Sequence, residues 1–200
     1  MNTGSIVRCN KEQTVARLMT QQISEICGGA NHFQPFSIND LSGVKDYLER
    51  VVAPGGVRRT APIDRKYLSF EDYVFDNGQQ FIFHPLPTGY RHCRRVSQQC
   101  YCNAYLLAQD HPELKYAEGY AMQKGLMPVL HAWCVDDVGL VFDPTWRVPA
   151  DYYGVIFDLA YVLHVFLKKK EFGVIDNWAE GFPLLHGDHP VDALNSPGYS

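Results

Sequence analysis

The chain has 200 residues, the size of one ordinary domain, and 46% of them are hydrophobic. With 11 Phe, 12 Tyr and 3 Trp beside only 20% charged residues, the composition excludes an intrinsically disordered protein. The 18 basic and 22 acidic side chains give a net charge of −4, so no excess of positive charge favours nucleic acid or an anionic membrane as a partner.

Neither a membrane segment nor an export signal is evident in the sequence. No run of about 18 uncharged apolar residues is present, and the first residues lack the apolar core of a secretory signal. We therefore expect no transmembrane helix and a cytoplasmic location. In that compartment the six cysteines are expected to be reduced thiols rather than a disulfide framework.

The sequence predicts a single domain over residues 1–200. Its first part, 1–90, is expected to be helical and irregular. A catalytic core follows over 91–185, where the pattern changes to strands and a buried helix. The last part, 186–200, is rich in proline, glycine and asparagine and is expected to be loosely ordered.

Five features are predicted in the first part. Apolar residues at helical spacing indicate helices over 11–26 and 40–52. An exposed connector is expected over 57–66. The sequence Asp76-Asn77-Gly78 indicates a turn, and a short strand is predicted at 81–83.

The second part is predicted to combine helices with an antiparallel sheet. A buried helix is expected over 100–109, followed by strands over 115–122, 128–136 and 139–143. A further helix is predicted over 158–169. This order of elements gives an α+β domain in which the first of these helices packs on an antiparallel meander.

Cys100 occupies the position at which a nucleophilic cysteine is most easily ionised. It opens the predicted buried helix, and the free N–H groups and dipole of a helix start favour a thiolate. A backbone N–H close to Cys100 is also well placed to face the oxyanion of an acyl intermediate.

His131 is the candidate base, because it lies on a predicted strand with Trp133 on the same face. Asp143 follows twelve residues later on the neighbouring strand, within reach of the far nitrogen of the imidazole. A carboxylate there would fix the tautomer of the ring and stabilise the imidazolium. Pro144 cannot extend the strand and is expected to end it next to Asp143.

Four short motifs occur in order between residues 98 and 146. They are Gln99-Cys100-Tyr101, Glu118-Gly119-Tyr120-Ala121, His131-Ala132-Trp133 and Asp143-Pro144-Thr145-Trp146. This order resembles the core of the transglutaminase-like superfamily, with its papain-like arrangement of the catalytic residues, and covers about a quarter of the chain. The resemblance implies a catalytic cysteine at the start of a buried helix that packs on an antiparallel sheet carrying the histidine and the aspartate.

By this resemblance Cys100 is the nucleophile, His131 the base and Asp143 the orienting acid. The implied activity is that of a cysteine-dependent amide hydrolase or acyltransferase, which acts through a thioester on a peptide, a protein or a small amide. The candidate substrate or oxyanion contacts are Gln98, Gln99 and Trp133. The glutamines follow the analogy of papain-like enzymes, and they are equally suited to cap the helix. No cofactor is expected, since no glycine-rich loop that cradles phosphates is present.

Several alternatives remain open at the level of sequence. Cys102 is a second thiol, but positions 100 and 102 of a helix face about 200° apart, so only one can face the imidazole. Glu118 either lines the substrate cleft or faces solvent. The chain could also be an inactive binding module of the same fold, or a zinc protein that uses Cys100, Cys102, His131 and Cys134.

Overall fold

The computed structural model describes residues 41–93 and 98–188. The chain divides into two compact units, Met1–Pro35 and Phe36–Ser200. The first unit, which includes the predicted N-terminal helix, lies outside the described residues, as does most of the predicted tail. Whether the whole chain is one domain therefore stays a prediction.

The described part of the chain is an α+β unit. The α-helices are α1 (Val44–Val52), α2 (Phe70–Asn77), α3 (Cys100–Asp110), α4 (Leu159–Lys169) and α5 (Pro183–His186). The strands are β1 (Gln79–Phe81), β2 (Lys115–Gln123), β3 (Val129–Val135), β4 (Val141–Phe142) and β5 (Ala150–Phe157). Short 3-10 helices lie at Pro54–Gly56, Thr88–Cys93 and Trp178–Glu180. None of the described helices is long and apolar enough to cross a bilayer.

Most of the predicted elements of the second part are present with bounds shifted by a few residues, whereas α2 and β5 were not predicted. The first strand occupies 79–81 rather than 81–83. This strand belongs to the same sheet as β2 to β5. The sheet therefore includes residues before 91, outside the core that was predicted over 91–185. Helix α2 begins after Ser69, whose side chain accepts a hydrogen bond from the backbone N–H of Asp72.

The five strands form one antiparallel, curled sheet in the order β1-β5-β2-β3-β4. Its two edges meet at a bridge between Ile82 and Leu140, which follow β1 and precede β4. Ile82 donates to the carbonyl of Gly139 (3.0 Å) and accepts from the N–H of Val141 (2.9 Å). The sheet is thereby closed on itself at this point.

Closure gives the sheet an inner face and an outer face. The inner face holds a small cluster of apolar side chains: Phe81, Ala117, Ala121, Trp133, Val135, Val141, Tyr152 and Ile156. The outer face packs against the helices, and α3 lies across β3. Since successive strand residues point to opposite faces, His131 and Trp133 share the inner face while Cys134 lies on the outer one.

Two glycines allow the strands to approach closely behind the site. Gly119 of β2 is the cross-strand partner of both His131 and Gly154. A Cβ at Gly119 would overlap the carbonyl oxygen of Tyr153. A Cβ at Gly154 would lie only 2.8 Å from the ring of Trp133. The backbone of β2 and β5 can therefore carry no side chain at these two positions, and the indole of Trp133 packs over the space.

Candidate active site

Cys100 is the first residue of α3, as the sequence predicts. Its thiol is free and partly exposed. The first intrahelical bond runs from the N–H of Asn103 to the carbonyl of Gln99 (2.9 Å), so the N–H groups of the first turn remain directed out of the helix start. This end of a helix stabilises negative charge, whether on a thiolate or on an oxyanion.

The two predicted glutamines precede this helix and are both exposed. Gln99 occupies the N-cap position, but its side chain makes no capping hydrogen bond. Gln98 has a φ of 69°, in the left-handed region that residues other than glycine seldom adopt. The turn into α3 is thus formed by backbone conformation, and both amide side chains are available to other partners.

His131 and Asp143 are in direct contact. His131 Nε2 lies 2.8 Å from Asp143 Oδ2, and the two residues are only 2% and 5% exposed. The contact leaves Nδ1 as the ring nitrogen available to a third group. The Cys100 side chain is close enough to the imidazole to help raise the pKa of the ring. The structure therefore brings together the three predicted catalytic residues, which come from α3, β3 and the segment after β4.

Four donors converge on the carboxylate of Asp143. Oδ1 accepts from the backbone N–H groups of Thr145 (2.7 Å) and Trp146 (2.9 Å). Oδ2 is shared by His131 and by the hydroxyl of Tyr152, which donates at 2.9 Å. Each oxygen thus has two donors, an arrangement that stabilises an ionised carboxylate and fixes the rotation of its plane.

His131 carries a proton more readily than an ordinary histidine does. Burial is the largest influence and lowers the pKa of the ring, but it is outweighed by the hydrogen bonds and charges of Asp143 and Cys100. Together these effects raise the pKa of His131 to about 9. At neutral pH the ring is therefore an imidazolium, and a cation beside a thiol favours the thiolate.

The imidazole is covered by a tryptophan that the sequence analysis did not assign to this role. Trp146 stacks on His131 with ring centroids 4.1 Å apart and an interplanar angle of 21°. Trp133, on the same face of β3, is also stacked with the ring, but its centroid is 6.2 Å away. Trp133 is completely buried inside the sheet against Phe81 and Tyr152. It is thus not exposed for contact with a substrate, which corrects that prediction, and its Nε1 has no hydrogen-bond partner among the described residues.

Helix α3 is joined to the site at two points. Asn103 is 2% exposed and its Nδ2 donates to Thr145 Oγ1 (3.0 Å), which links the helix to the segment that carries Asp143. The thiol of Cys134 donates to the carbonyl of Ala104 (3.1 Å) on the outer face of β3. Both contacts fix the start of α3 against the sheet.

The same contact of Cys134 argues against the predicted zinc site. His131 faces inward and Cys134 outward from β3, so these two proposed ligands cannot meet at one ion. In the described ranges 41–93 and 98–188, no three His, Cys, Asp or Glu side chains are grouped as metal ligands. Cys102 is a free, partly exposed thiol two residues after Cys100 and so on a different side of α3.

Glu118 is neither on the surface nor open to a cleft, contrary to both sequence-based alternatives. It is 1% exposed on the outer face of β2. Its carboxylate accepts from Tyr116 Oη (2.6 Å) and from the N–H groups of Val174 (2.8 Å) and Ile175 (3.1 Å). Burial raises the pKa of Glu118 to about 7, although these hydrogen bonds act in the opposite direction. The residue fastens the chain after α4 to the sheet.

We expect the ionisation of Glu118 to make the fold less stable as the pH rises. Its pKa is about 7 in the folded protein and near 4.5 ordinarily, so the folded state retains a proton that the unfolded chain has lost. The stability that this proton contributes, about 3 kcal/mol, is fully present below pH 4.5 and lost as the pH passes 7. Urea unfolding of wild type and of Glu118→Gln between pH 4.5 and 6.5 measures how the free energy of unfolding falls as Glu118 loses this contribution.

The difference in unfolding free energy between the two proteins isolates this contribution, because all other carboxylates are common to both. The upper limit of pH 6.5 keeps the measurement below the window in which His131 loses its own proton. If the stability of the wild type had the same pH dependence as that of Glu118→Gln, the raised pKa of Glu118 would be contradicted.

A small cleft opens to solvent beside Asp143 and Trp146. Its other walls come from the chain after β1 and from the residue after Trp146: Phe83, His84, Pro85, Leu86 and Arg147. The lining is therefore part apolar and part polar, and two of its residues, His84 and Arg147, are exposed. A group bound there would lie next to Asp143 and to Trp146, which stacks on His131.

Two residues of this site were missed in the sequence. Tyr152 lies on a strand that was not predicted, so its approach to Asp143 had no signal. Trp146 was noted only as part of a motif, although its position three residues after Asp143 is where a tight turn returns the chain over the carboxylate. Comparisons of the chain with known protein families, with characterised proteins and with solved structures find no match.

Proposed function

We propose that this protein is a cysteine-dependent amide hydrolase or acyltransferase with a transglutaminase-like α+β fold, in which Cys100, His131 and Asp143 form a catalytic triad. The observation that carries the proposal is the buried contact of 2.8 Å between His131 and Asp143, with Cys100 close enough to the same ring to help raise its pKa. A nucleophile, a base and a group that orients the base are the parts that covalent acyl transfer requires.

The charge state of the site supports this chemistry. The imidazolium of His131 lies between the carboxylate of Asp143 and the sulfur of Cys100, so a thiolate has a cation beside it at neutral pH. The free N–H groups at the start of α3 supply donors for the oxyanion that forms during attack. A reduced thiol of this kind fits the cytoplasmic location that the sequence predicts.

In the proposed reaction the Cys100 thiolate attacks the carbonyl carbon of an amide and forms a C–S bond. The carbonyl oxygen becomes an oxyanion at the start of α3. His131 gives its proton to the leaving nitrogen as the C–N bond breaks, which leaves a thioester on Cys100 and a free amine. His131 then takes a proton from water or from an acceptor amine as this second nucleophile attacks the thioester, and the thiolate is released.

The proposed substrate is a peptide, a protein or a small amide. The cleft beside Trp146 is the place where a part of the substrate would contact Asp143 of the proposed triad. Whether water or an amine completes the reaction depends on which of them reaches the thioester, and that is a property of the cleft rather than of the triad.

Trapping the acyl-enzyme tests the proposal directly. The protein is incubated with a panel of peptide, isopeptide and small amide substrates, and with activated esters that acylate thiols. We expect a mass increase by one acyl group that maps to Cys100 and is removed by neutral hydroxylamine. Iodoacetamide, applied first, should label Cys100 ahead of Cys102 and prevent the acylation.

Cys102 serves as the internal control, since it is also a partly exposed thiol on the same helix but lies on another side of it. Acylation or alkylation of both thiols at equal rates would contradict an activated Cys100. A protein that no member of the panel acylates, with Cys100 no more reactive than a free thiol, would refute the proposed function.

A further inference from the structure

Tyr152 reaches the site from a different strand than any of the three proposed catalytic residues. It lies on β5, which is separated from β3 by β2, and its side chain is completely buried in the inner face of the sheet. Its hydroxyl donates to Asp143 Oδ2, the same oxygen that His131 contacts. Burial and the nearby Asp143 raise the pKa of Tyr152, so the phenol keeps its proton and remains a donor.

We propose that Tyr152 is a positioning residue of this site, which acts on His131 through Asp143 and sets how tightly the imidazole holds its proton. This inference rests on the proposed function. Two physical effects carry it, one on the orientation of the carboxylate and one on its charge.

The orientation effect follows from the pairing of donors. The backbone N–H groups of Thr145 and Trp146 hold Oδ1, and Tyr152 holds Oδ2 in addition to His131. With the phenol removed, Oδ2 has only the imidazole as its partner, and the carboxylate can turn about its own axis. The ring then loses part of the constraint that aims its other nitrogen at Cys100.

The charge effect has a definite sign. The hydroxyl directs the positive end of its dipole at Oδ2 and so reduces the negative potential that the imidazole experiences. Without it, Asp143 attracts the proton of His131 more strongly, and the ring releases that proton at higher pH. The titratable groups that contact the ring are Asp143 and Cys100, and His84 and Arg147 line the cleft beside Asp143. None of these is altered by replacing Tyr152.

The test compares Tyr152→Phe with Tyr153→Phe. Tyr153 is the next residue of β5, faces the outer side of the sheet and donates its hydroxyl to the carbonyl of Phe75 (3.3 Å). Each variant therefore loses one hydroxyl and one hydrogen bond from adjacent positions. The titration of His131 is followed by NMR of its ring, and the pH dependence of Cys100 alkylation by iodoacetamide is measured in parallel.

We expect Tyr152→Phe to move the midpoint of the His131 titration upward by about half a pH unit, and to reduce turnover of the substrate found in the panel by about tenfold. Tyr153→Phe should change neither. As a second probe, 3-fluorotyrosine in place of Tyr152 keeps the shape of the ring and is a stronger donor. It should move the midpoint in the opposite direction.

Equal midpoints in wild type and in all three variants would overturn the proposal, as would equal shifts in Tyr152→Phe and Tyr153→Phe. The NMR titration needs no substrate, so it is separable from the proposed function. A shifted midpoint in a protein without any turnover would refute the function and retain the coupling of Tyr152 to His131.

Discussion

Replacement of Cys100 by alanine is expected to abolish turnover, by a factor of about 10⁶ that leaves no measurable rate. The variant lacks the atom that forms the C–S bond, and the remaining donors at the start of α3 cannot replace it. Cys102→Ala should retain activity close to wild type, because positions 100 and 102 face different sides of the helix. Initial rates with the acylating substrate of the panel measure both.

The fold of Cys100→Ala can be verified independently of activity. Cys100 is one of the two groups that raise the pKa of His131, so the ring of the variant should titrate below the wild-type value of about 9 while Asp143 still holds it. An active Cys100→Ala, or an inactive and well-folded Cys102→Ala, would transfer the role of nucleophile away from Cys100.

Asp143→Asn is expected to lower turnover at pH 7 by about 10³- to 10⁴-fold while leaving the side chain nearly unchanged in shape. An asparagine oxygen can still accept from the N–H groups of Thr145 and Trp146, which places its amide nitrogen towards His131. The ring nitrogen that faced Asp143 must then accept a hydrogen bond. In the neutral ring the proton moves to Nδ1, the nitrogen available to the sulfur, so the ring can no longer take a proton from Cys100.

The titration of His131 should move in the same variant. Burial lowers the pKa of this ring and is opposed chiefly by Asp143, so without the carboxylate we expect the pKa to fall from about 9 toward the ordinary 6.5. The thiolate at Cys100 then loses its cation at neutral pH, and iodoacetamide labelling should slow accordingly. NMR of the ring and the rate of labelling provide two readings that need no substrate.

Asp136→Asn is the matched control for this variant. Asp136 lies on the hairpin between β3 and β4 and accepts from the N–H groups of Val138 (3.1 Å) and Leu140 (2.8 Å). It is also a carboxylate that accepts from backbone N–H groups, but it is partly exposed and separate from His131. If both variants lose the same small fraction of activity, Asp143 has no role beyond holding its turn.

The parts of the fold that were predicted correctly have signals confined to a few neighbouring residues. Helix α3 begins at Cys100 and is mostly apolar, and β3 and β4 flank a short turn with Gly139 at a φ of 82°. Helix α2 was missed because Asp76-Asn77-Gly78 indicates a turn, whereas in the structure Asp76 and Asn77 are its last two residues and Gly78 ends it. It is stabilised by Tyr73 and Val74, which are fully buried, and by the cap from Ser69.

Strand β5 was missed for a different reason. Six of its eight residues are buried, because one face points into the closed sheet and the other against the helices. A strand that is buried on both faces has no alternation of polar and apolar residues to reveal it. Its partners in β1 and β2 are also distant along the chain, with Gly154 pairing with Gln79 and Gly119.

The candidate site also contains residues that the sequence identifies and residues that only the structure reveals. Cys100, His131 and Asp143 were identified because each has a distinctive local sequence, and the order of those sequences resembles a known core. The contacts that set the properties of these residues depend on packing between distant segments. Tyr152 acts from β5, and Glu118 is recognised as buried only when the chain after α4 is seen to cover it.

The closure of the sheet at Ile82 and Leu140 limits how another polypeptide can bind. Extended peptides are often bound by adding a strand to an open sheet edge, where unpaired main-chain groups serve any sequence alike. In the described part of this chain, the two edge strands have three and two residues, and their ends pair with each other. If the substrate is a peptide, as one form of the proposed function has it, we expect recognition through side chains and loops, with selectivity set by the residues next to the cleaved bond rather than by the length of the peptide.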